Sequence, residues 1–292
     1  MASLYPYSYG ATLMKIEDVS LYASPDGASL LESPEANGRP ILRGVSAEIK
    51  KIVRPGQVQG QVVTILGPSG MGKTRLFRII AGLDKPTSGR VVANGLNRPV
   101  HAGEVGVVAQ ECPLFAHRTV LSNLMLAAKH KEKDSKVAHD KIMAMMALFG
   151  LEDHIHKYPA QLSGGQRQRC AIIQQILCSD HFLLMDEPFS GLDIVTEDTA
   201  LQLILKVANM DDLNTIILVT HDVSAAVSVS DHIWMLGRER GPDGQPIPGA
   251  KIIHTYDLIE AGLCWEQWNP RGITRPAIAE FVRQLKEDFY NL

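Results

Sequence analysis

The stretch that decides the fold runs Gln61-Val62-Val63-Thr64-Ile65-Leu66, then Gly67-Pro68-Ser69-Gly70-Met71-Gly72-Lys73-Thr74. The first six residues form an apolar run far too short to cross a membrane, and suited to a strand buried on both faces in a parallel sheet. The next eight fit G-x-x-x-x-G-K-[ST], and Thr74–Ala81 continues with the apolar spacing of a helix. There is a physical reason for this order. Glycines let backbone N–H groups turn inward around phosphate oxygens, and the positive end of the helix dipole faces the same point. Lys73 is placed to reach the outer phosphates, and the Thr74 hydroxyl to ligate a divalent cation. Alone, the segment implies a nucleotide phosphate and nothing finer.

Working outward, the short apolar pattern returns in Phe182–Met185, Thr215–Val219 and His232–Leu236, with helical spacing in Asp193–Ala208 and Val223–Val229 between them. Alternation of this kind predicts an α/β domain with a parallel sheet. From about Cys112 to Cys178 the chain turns helical: Val120–His130, Val137–Phe149 and Gly165–Cys178 all repeat apolar residues at spacings of three and four. A helical block therefore interrupts the α/β domain. Upstream, Leu13–Leu21 and Ile41–Val53 read as antiparallel strands joined by a Pro/Gly/Ser/Glu-rich loop, Ser24–Pro40. Downstream, Gly237–Gly249 is a long turn region between two strand-like pieces. The tail Arg275–Phe289 is amphipathic, with Ile278, Phe281, Val282, Leu285 and Phe289 on one face, and Trp265 and Trp268 are expected to pack it onto the body.

Composition limits the partners. With 292 residues, 45% hydrophobic and 21% charged, the chain can bury one large core. A net charge of −3 offers no basic footprint for nucleic acid, so an anionic ligand must be held by a local site. The four cysteines, Cys112, Cys170, Cys178 and Cys264, show no C-x-x-C spacing and read as isolated, reduced and cytosolic. The N-terminus lacks a basic start followed by an apolar stretch, so no signal peptide is expected. The expected protein is soluble, reaching any membrane through a partner.

Two further motifs carry chemistry. Phe182-Leu183-Leu184-Met185-Asp186-Glu187 is an apolar strand ending in two carboxylates, at the sheet edge where doubly wound folds bind ligands. Asp186 is placed to hold Mg2+, and Glu187 to accept a proton from an attacking water; the plainer alternative is a strand capped by solvated acids. Leu162-Ser163-Gly164-Gly165-Gln166 opens a helix and leaves several N–H groups free at its start, a second anion site. It also reads as an ordinary capping box, Ser163 with Gln166, and the two readings share one geometry.

With the glycine turn before it and the acidic pair about twenty residues after it, this motif set resembles that of the nucleotide-binding subunits of ABC ATPases, over roughly Leu13 to Leu236. The resemblance implies a P-loop NTPase (RecA-like) α/β core with an N-terminal antiparallel β-subdomain and an inserted α-helical subdomain. The ATPase domain would span 12–255, its helical insert about 112–180, and a short helical extension 256–292. It implies ATP held by Gly67, Pro68, Ser69, Gly70, Met71, Gly72, Lys73 and Thr74, with Mg2+ on Thr74, Gln110 and Asp186. Glu187, His221 and Gln110 would be the catalytic group. Ser163, Gly164, Gly165 and Gln166 would contact the ATP of a second subunit in a head-to-tail dimer. Asp193, in Ser190-Gly191-Leu192-Asp193, would couple the two sites. Tyr22, ending Ile16–Tyr22, takes the place of the family's adenine-stacking aromatic, although the enlarged loop that follows could displace it and leave it packing on its strand. The chain departs from the family at Ile173-Gln174-Gln175, where Ala-Arg-Ala is usual; the lost arginine is not a phosphate ligand in the family pattern.

Two functions remain open from the sequence. One is the motor subunit of a membrane transporter, and the other a soluble ABC ATPase of repair, translation or cofactor assembly. No long coiled coil and no second ATPase domain is evident, which favours the transporter. The segment from Pro113 to Asn123 is similar to the region of bacterial importer ATPases that receives a helix of the membrane subunit. Leu114 and Phe115 would line that groove, or else belong to the core of the helical block. The resemblance thus implies transmembrane permease subunits and an extracytoplasmic solute-binding protein as partners, and a place on the inner face of the cell membrane. It does not indicate the cargo beyond a small polar solute.

Overall fold

The computed structural model describes residues 6–23, 38–56, 58–93, 95–109, 114–190, 194–263, 276–290 and 292, without the side chains of 194–196. Gln110, Asp193, Trp265, Trp268 and most of the loop after Tyr22 lie outside the described residues.

Among the described residues two sheets form. β1 (Ser8–Ala23) pairs antiparallel with β2 (Arg39–Val53) and with β4 (Ser88–Ala93), in the order β2-β1-β4. The second sheet, in the order β5-β6-β7-β3-β8-β9, contains β3 (Gln61–Leu66), β5 (Gly106–Val108), β6 (Phe182–Asp186), β7 (Thr215–Thr220), β8 (His232–Gly237) and β9 (Lys251–Asp257). It is parallel from β5 to β8, and β9 lies antiparallel on its edge. Every residue of β3 and of β7 is buried, which explains why these strands read as unbroken apolar runs without alternation. β4 follows no such pattern in sequence, being half exposed and short, and is held by its pairing with β1.

Helices cover both faces. On one face α1 (Lys73–Ile80) packs with β1, β2 and β4 through Leu76, Phe77, Ile80, Met14, Ile16 and Val91. On the other, α5 (Ile194–Ala208) and the helical block share a core built from Leu124, Ile142, Ile173, Leu183, Ile204 and Leu218. The block consists of α2 (Val120–Lys131), α3 (Ser135–Leu148) and α4 (Gly164–Cys178), whose starts are fixed by the side chains of Thr119, Asp134 and Ser163 accepting backbone N–H bonds. Fully buried Asn123 holds the turn before α2: its Oδ1 accepts from Phe115 N at 2.8 Å, and its Nδ2 donates to the carbonyls of Phe115, Arg118 and Thr119. α6 (Val223–Val229) and the amphipathic α7 (Pro276–Tyr290) close the far edge, Leu285 being buried against Leu66, Val227 and Met235.

One buried ion pair ties the sheets' junction. Arg54 Nη2 donates to Asp231 Oδ1 at 2.8 Å, and Asp231 Oδ2 accepts from Val62 N at 2.7 Å, so both carboxylate oxygens are engaged. Central β3 is thereby anchored beside β7 and β8. The carboxyl ends of β3, β6 and β7 then deliver residues 67–74, 186–187 and 220–221 to a common edge.

Candidate functional site

The turn after β3 fits tightly against β8. A Cβ at Gly67 would lie 2.5 Å from the Leu236 carbonyl oxygen, so no other residue fits there without backbone movement. Gly72, at φ 84°, caps α1 without a side-chain hydrogen bond. α2, α3, α4 and α6 each begin under a capping side chain, whereas α1 begins without one.

Lys73, 8% exposed, reaches back over this turn. Its Nζ donates to Gly67 O at 2.7 Å and Pro68 O at 3.1 Å, and lies 3.9 Å from Glu187 Oε1. Burial pulls its pKa below the ordinary lysine value, opposed by the charges of Glu187 and Asp186. The ammonium is therefore buried against neutral carbonyls, with Glu187 and Asp186 as charged neighbours, surroundings that suit a more strongly charged acceptor.

Asp186 ends β6, and its carboxyl is pushed above the usual range by burial and then by Glu187, with the Thr74 hydrogen bond and Lys73 opposing. Glu187 takes a left-handed backbone, φ 47°, uncommon for a residue with a side chain. This conformation is held by Glu187 N donating to Val219 O at 2.8 Å. Its side chain accepts from Thr220 Oγ1 at 3.2 Å and lies 2.8 Å from His221 Nδ1. Lys73, Thr74, Asp186, Glu187, Thr220 and His221 thus meet at one sheet edge. A carboxylate, an imidazole and a buried ammonium are thereby brought together.

The sequence-predicted second anion segment lies elsewhere. Ser163 caps α4, accepting from Gln166 N at 3.2 Å while Gln166 Oε1 accepts from Ser163 N at 2.9 Å, and Ser163 and Gly164 are exposed. Among the described residues no hydrogen bond or ion pair joins 163–166 to the cradle; an outside anion could meet that helix start.

A cavity of about 440 Å³ adjoins the cradle, lined in part by Gly70–Arg75, Ala23, Pro40 and Arg238. Tyr22 is half-buried on β1 and is not among its lining residues.

Three contributors escaped sequence reasoning. Thr220, directly before His221, orients Glu187, and its position at the end of a buried strand was the available signal. Gln168 Nε2 donates to Pro188 O at 2.8 Å, linking α4 to the segment that carries Glu187. Gln175 Oε1 accepts from Val107 N at 3.0 Å, so the departure from Ala-Arg-Ala serves to join α4 to β5.

A family model described as "ABC transporter" matches residues 56–190. The uncharacterized ABC transporter ATP-binding protein YtlC of Bacillus subtilis is 35% identical over 183 residues, 63% of this chain and 70% of its own length. The spermidine/putrescine import ATP-binding protein PotA of Spiroplasma citri is 39% identical over 207 residues, 70% of this chain and 57% of that protein. The chain spans only 57% and 52% of the PotA proteins of Spiroplasma citri and Thermotoga maritima. Among solved structures, a dimeric post-hydrolysis state of the ATP-binding cassette MJ0796, bound to ADP and Pi, superposes with a TM-score of 0.65 at 26% identity, covering 84% of this chain and 99% of that one. The chain therefore belongs to the family of ABC transporter ATP-binding proteins.

Proposed function

We propose that this chain is the ATP-binding and ATP-hydrolysing motor subunit of an ABC importer of a small polar solute, working as a head-to-tail dimer with two ATPs between subunits. The strongest support is the convergence of buried Lys73, an uncapped α1 and the carboxylates of Asp186 and Glu187 at one sheet edge.

In this reading Lys73 exchanges the Gly67 and Pro68 carbonyls for the outer phosphates, which the main chain of 67–74 surrounds. The Thr74 hydroxyl and Asp186 carboxylate are hard oxygen donors that would hold Mg2+, joined by Gln110, and Mg2+ there supplies neutralising charge to the phosphates. The raised pKa of Asp186 fits this role, because a cation relieves its burial and its repulsion from Glu187. Glu187 accepts the proton of the attacking water, while Thr220 and His221 fix its orientation. Ser163, Gly164, Gly165 and Gln166 of a second copy offer their exposed helix start to the same phosphates, and Asp193 couples the sites.

The importer assignment draws on the relatives named for spermidine/putrescine import. Exposed Phe115, on the turn held by Asn123, would meet the permease subunits. None of the described helices is long and apolar enough to cross a membrane, so placement on the inner face would come through that partner. An extracytoplasmic solute-binding protein would complete the assembly.

Nucleotide binding and ATP turnover by the purified chain and by Lys73→Ala provide the test. Losing a charge-assisted contact should weaken ATP affinity by at least about tenfold and abolish turnover. Wild-type affinity in the variant would overturn the assignment.

A further inference from the structure

Apart from the cradle itself, the walls of the adjoining cavity are Ala23 at the end of β1, Arg39, Pro40 and Ile41 at the start of β2, Arg238 just past β8, and Ala250. No aromatic ring is among these described residues, and residues 24–37 of the connecting loop contain none in sequence. Instead two arginines, Arg39 and Arg238, stand in this wall, beside Arg75 of the cradle. Arg39 is exposed and Arg238 half-buried, and neither makes a hydrogen bond or ion pair among the described residues. Nearby cations are already neutralised: Arg43 and Lys251 both bind Glu239, at 2.6 Å each. The backbone leading to Arg238 runs beside the cradle, because Leu236, two residues earlier, abuts it at Gly67.

We infer that Arg238, flanked by Arg39 and Pro40, forms the base-side wall of the nucleotide site, and that the site accepts purine triphosphates without selecting the base. The inference rests on the nucleotide reading above. A guanidinium plane stacks on the face of any base, whereas selection requires groups that pair with one base's exocyclic atoms and are left unpaired by another. The side chains of Ala23, Pro40 and Ile41 supply no such groups. Affinity then comes from the phosphates, with a modest, base-blind contribution from Arg238.

The test is displacement of a fluorescent nucleotide from the full chain by ATP, GTP or inorganic tripolyphosphate, each with Mg2+. ATP and GTP should bind within about threefold of each other, because stacking on a cation is only weakly base-dependent. Arg238→Ala should weaken both about tenfold and leave tripolyphosphate within about twofold, since the lost contact is to the base. Arg238→Lys should stay close to the alanine variant, because an ammonium has no planar face to stack. A preference for ATP over GTP beyond about thirtyfold would overturn base tolerance. Equal losses for ATP and tripolyphosphate in Arg238→Ala, or full recovery in Arg238→Lys, would make Arg238 a phosphate-seeking charge and overturn its assignment to the base. If none of the three competitors binds, or Lys73→Ala binds them as well as wild type, the nucleotide site itself is wrong and this inference falls with it.

Discussion

Replacing Glu187 by Gln separates its chemistry from its structural role. The amide oxygen can still accept from Thr220 or His221, and the left-handed backbone at φ 47° is no worse for Gln than for Glu, so the local geometry should be kept. The amide cannot accept a proton from water. General-base assistance of this kind contributes about 10²- to 10⁴-fold, or roughly 3–5 kcal/mol of barrier, so ATP turnover should fall by that factor. Binding should move the other way. Lys73 Nζ lies 3.9 Å from Glu187 Oε1, which at an effective dielectric of ~20 is an attraction of about 4 kcal/mol before the cost of burial is subtracted. That attraction competes with the phosphates for the same ammonium. Without it, ATP affinity should be equal or a few-fold higher. Single-turnover hydrolysis and equilibrium binding on the same preparation read both effects. Turnover within about threefold of wild type would remove Glu187 as the base, because no other effect of the substitution restores proton transfer. Weaker binding with turnover lost in parallel would show that Glu187 shapes the pocket and does not act on the water.

Two further perturbations probe the scaffold. Gly67→Ala sets a methyl group 2.5 Å from the Leu236 carbonyl, where at least half an ångström of backbone movement is needed; ATP affinity should fall about tenfold or more and the melting temperature by a few degrees. Calorimetry and binding that both match wild type would refute the close approach, while Gly164→Ala, with open space around its Cβ, serves as the tolerant control for melting temperature alone. The second concerns pH. Burial raises the Asp257 carboxyl, but hydrogen bonds from His232 and Tyr9 outweigh it and hold its pKa at about 2, below the ordinary 3.8. A depressed carboxylate stabilises the fold above its unfolded value, so this contribution should be lost as pH falls from about 4 towards 2. In Tyr9→Phe the contribution should be smaller and its loss complete at a higher pH, and coincident melting curves against pH would show that Tyr9 contributes nothing.

The parts of the fold that the sequence discloses are those where burial alone dictates the residue type. β3 and β7 are buried along their whole length, so composition suffices. α2, α3 and α4 show themselves through apolar residues at spacings of three and four, and α4 also through Ser163, whose short polar side chain has a local reason to stand at a helix start. β4 escapes because its stability comes from pairing with β1, seventy residues away, and nothing local requires it. The site divides in the same way. Lys73, Asp186 and Glu187 sit in local patterns, while the contacts from Thr220 to Glu187 and from Gln168 to Pro188 join segments that only the fold makes neighbours.

Tyr22 shows why a strand end is the hardest place to assign a role by position. Side chains alternate along a strand, so an error of one residue moves a ring from the ligand face to the opposite one. Counting from the buried residues Val19 and Leu21 cannot fix which face Tyr22 takes, because the pairing of β1 with β2 is irregular there: Leu21 faces Leu42, but Tyr22 faces Pro40, leaving Ile41 as an extra residue. Across that irregularity Ala23 and Ile41 come to line the cavity and Tyr22 does not. An alanine therefore lines the cavity beside the expected ring, and Arg238, just past a different strand, is left with the open face. If the irregularity sets the specificity of the site, Ala23→Phe should restore a stacking surface and tighten ATP binding by roughly three- to tenfold, the gain expected of one added base–aromatic contact. The same ring in place of Tyr22 should change nothing, and a gain from Tyr22→Trp comparable to that from Ala23→Phe would show that Tyr22, after all, faces the nucleotide.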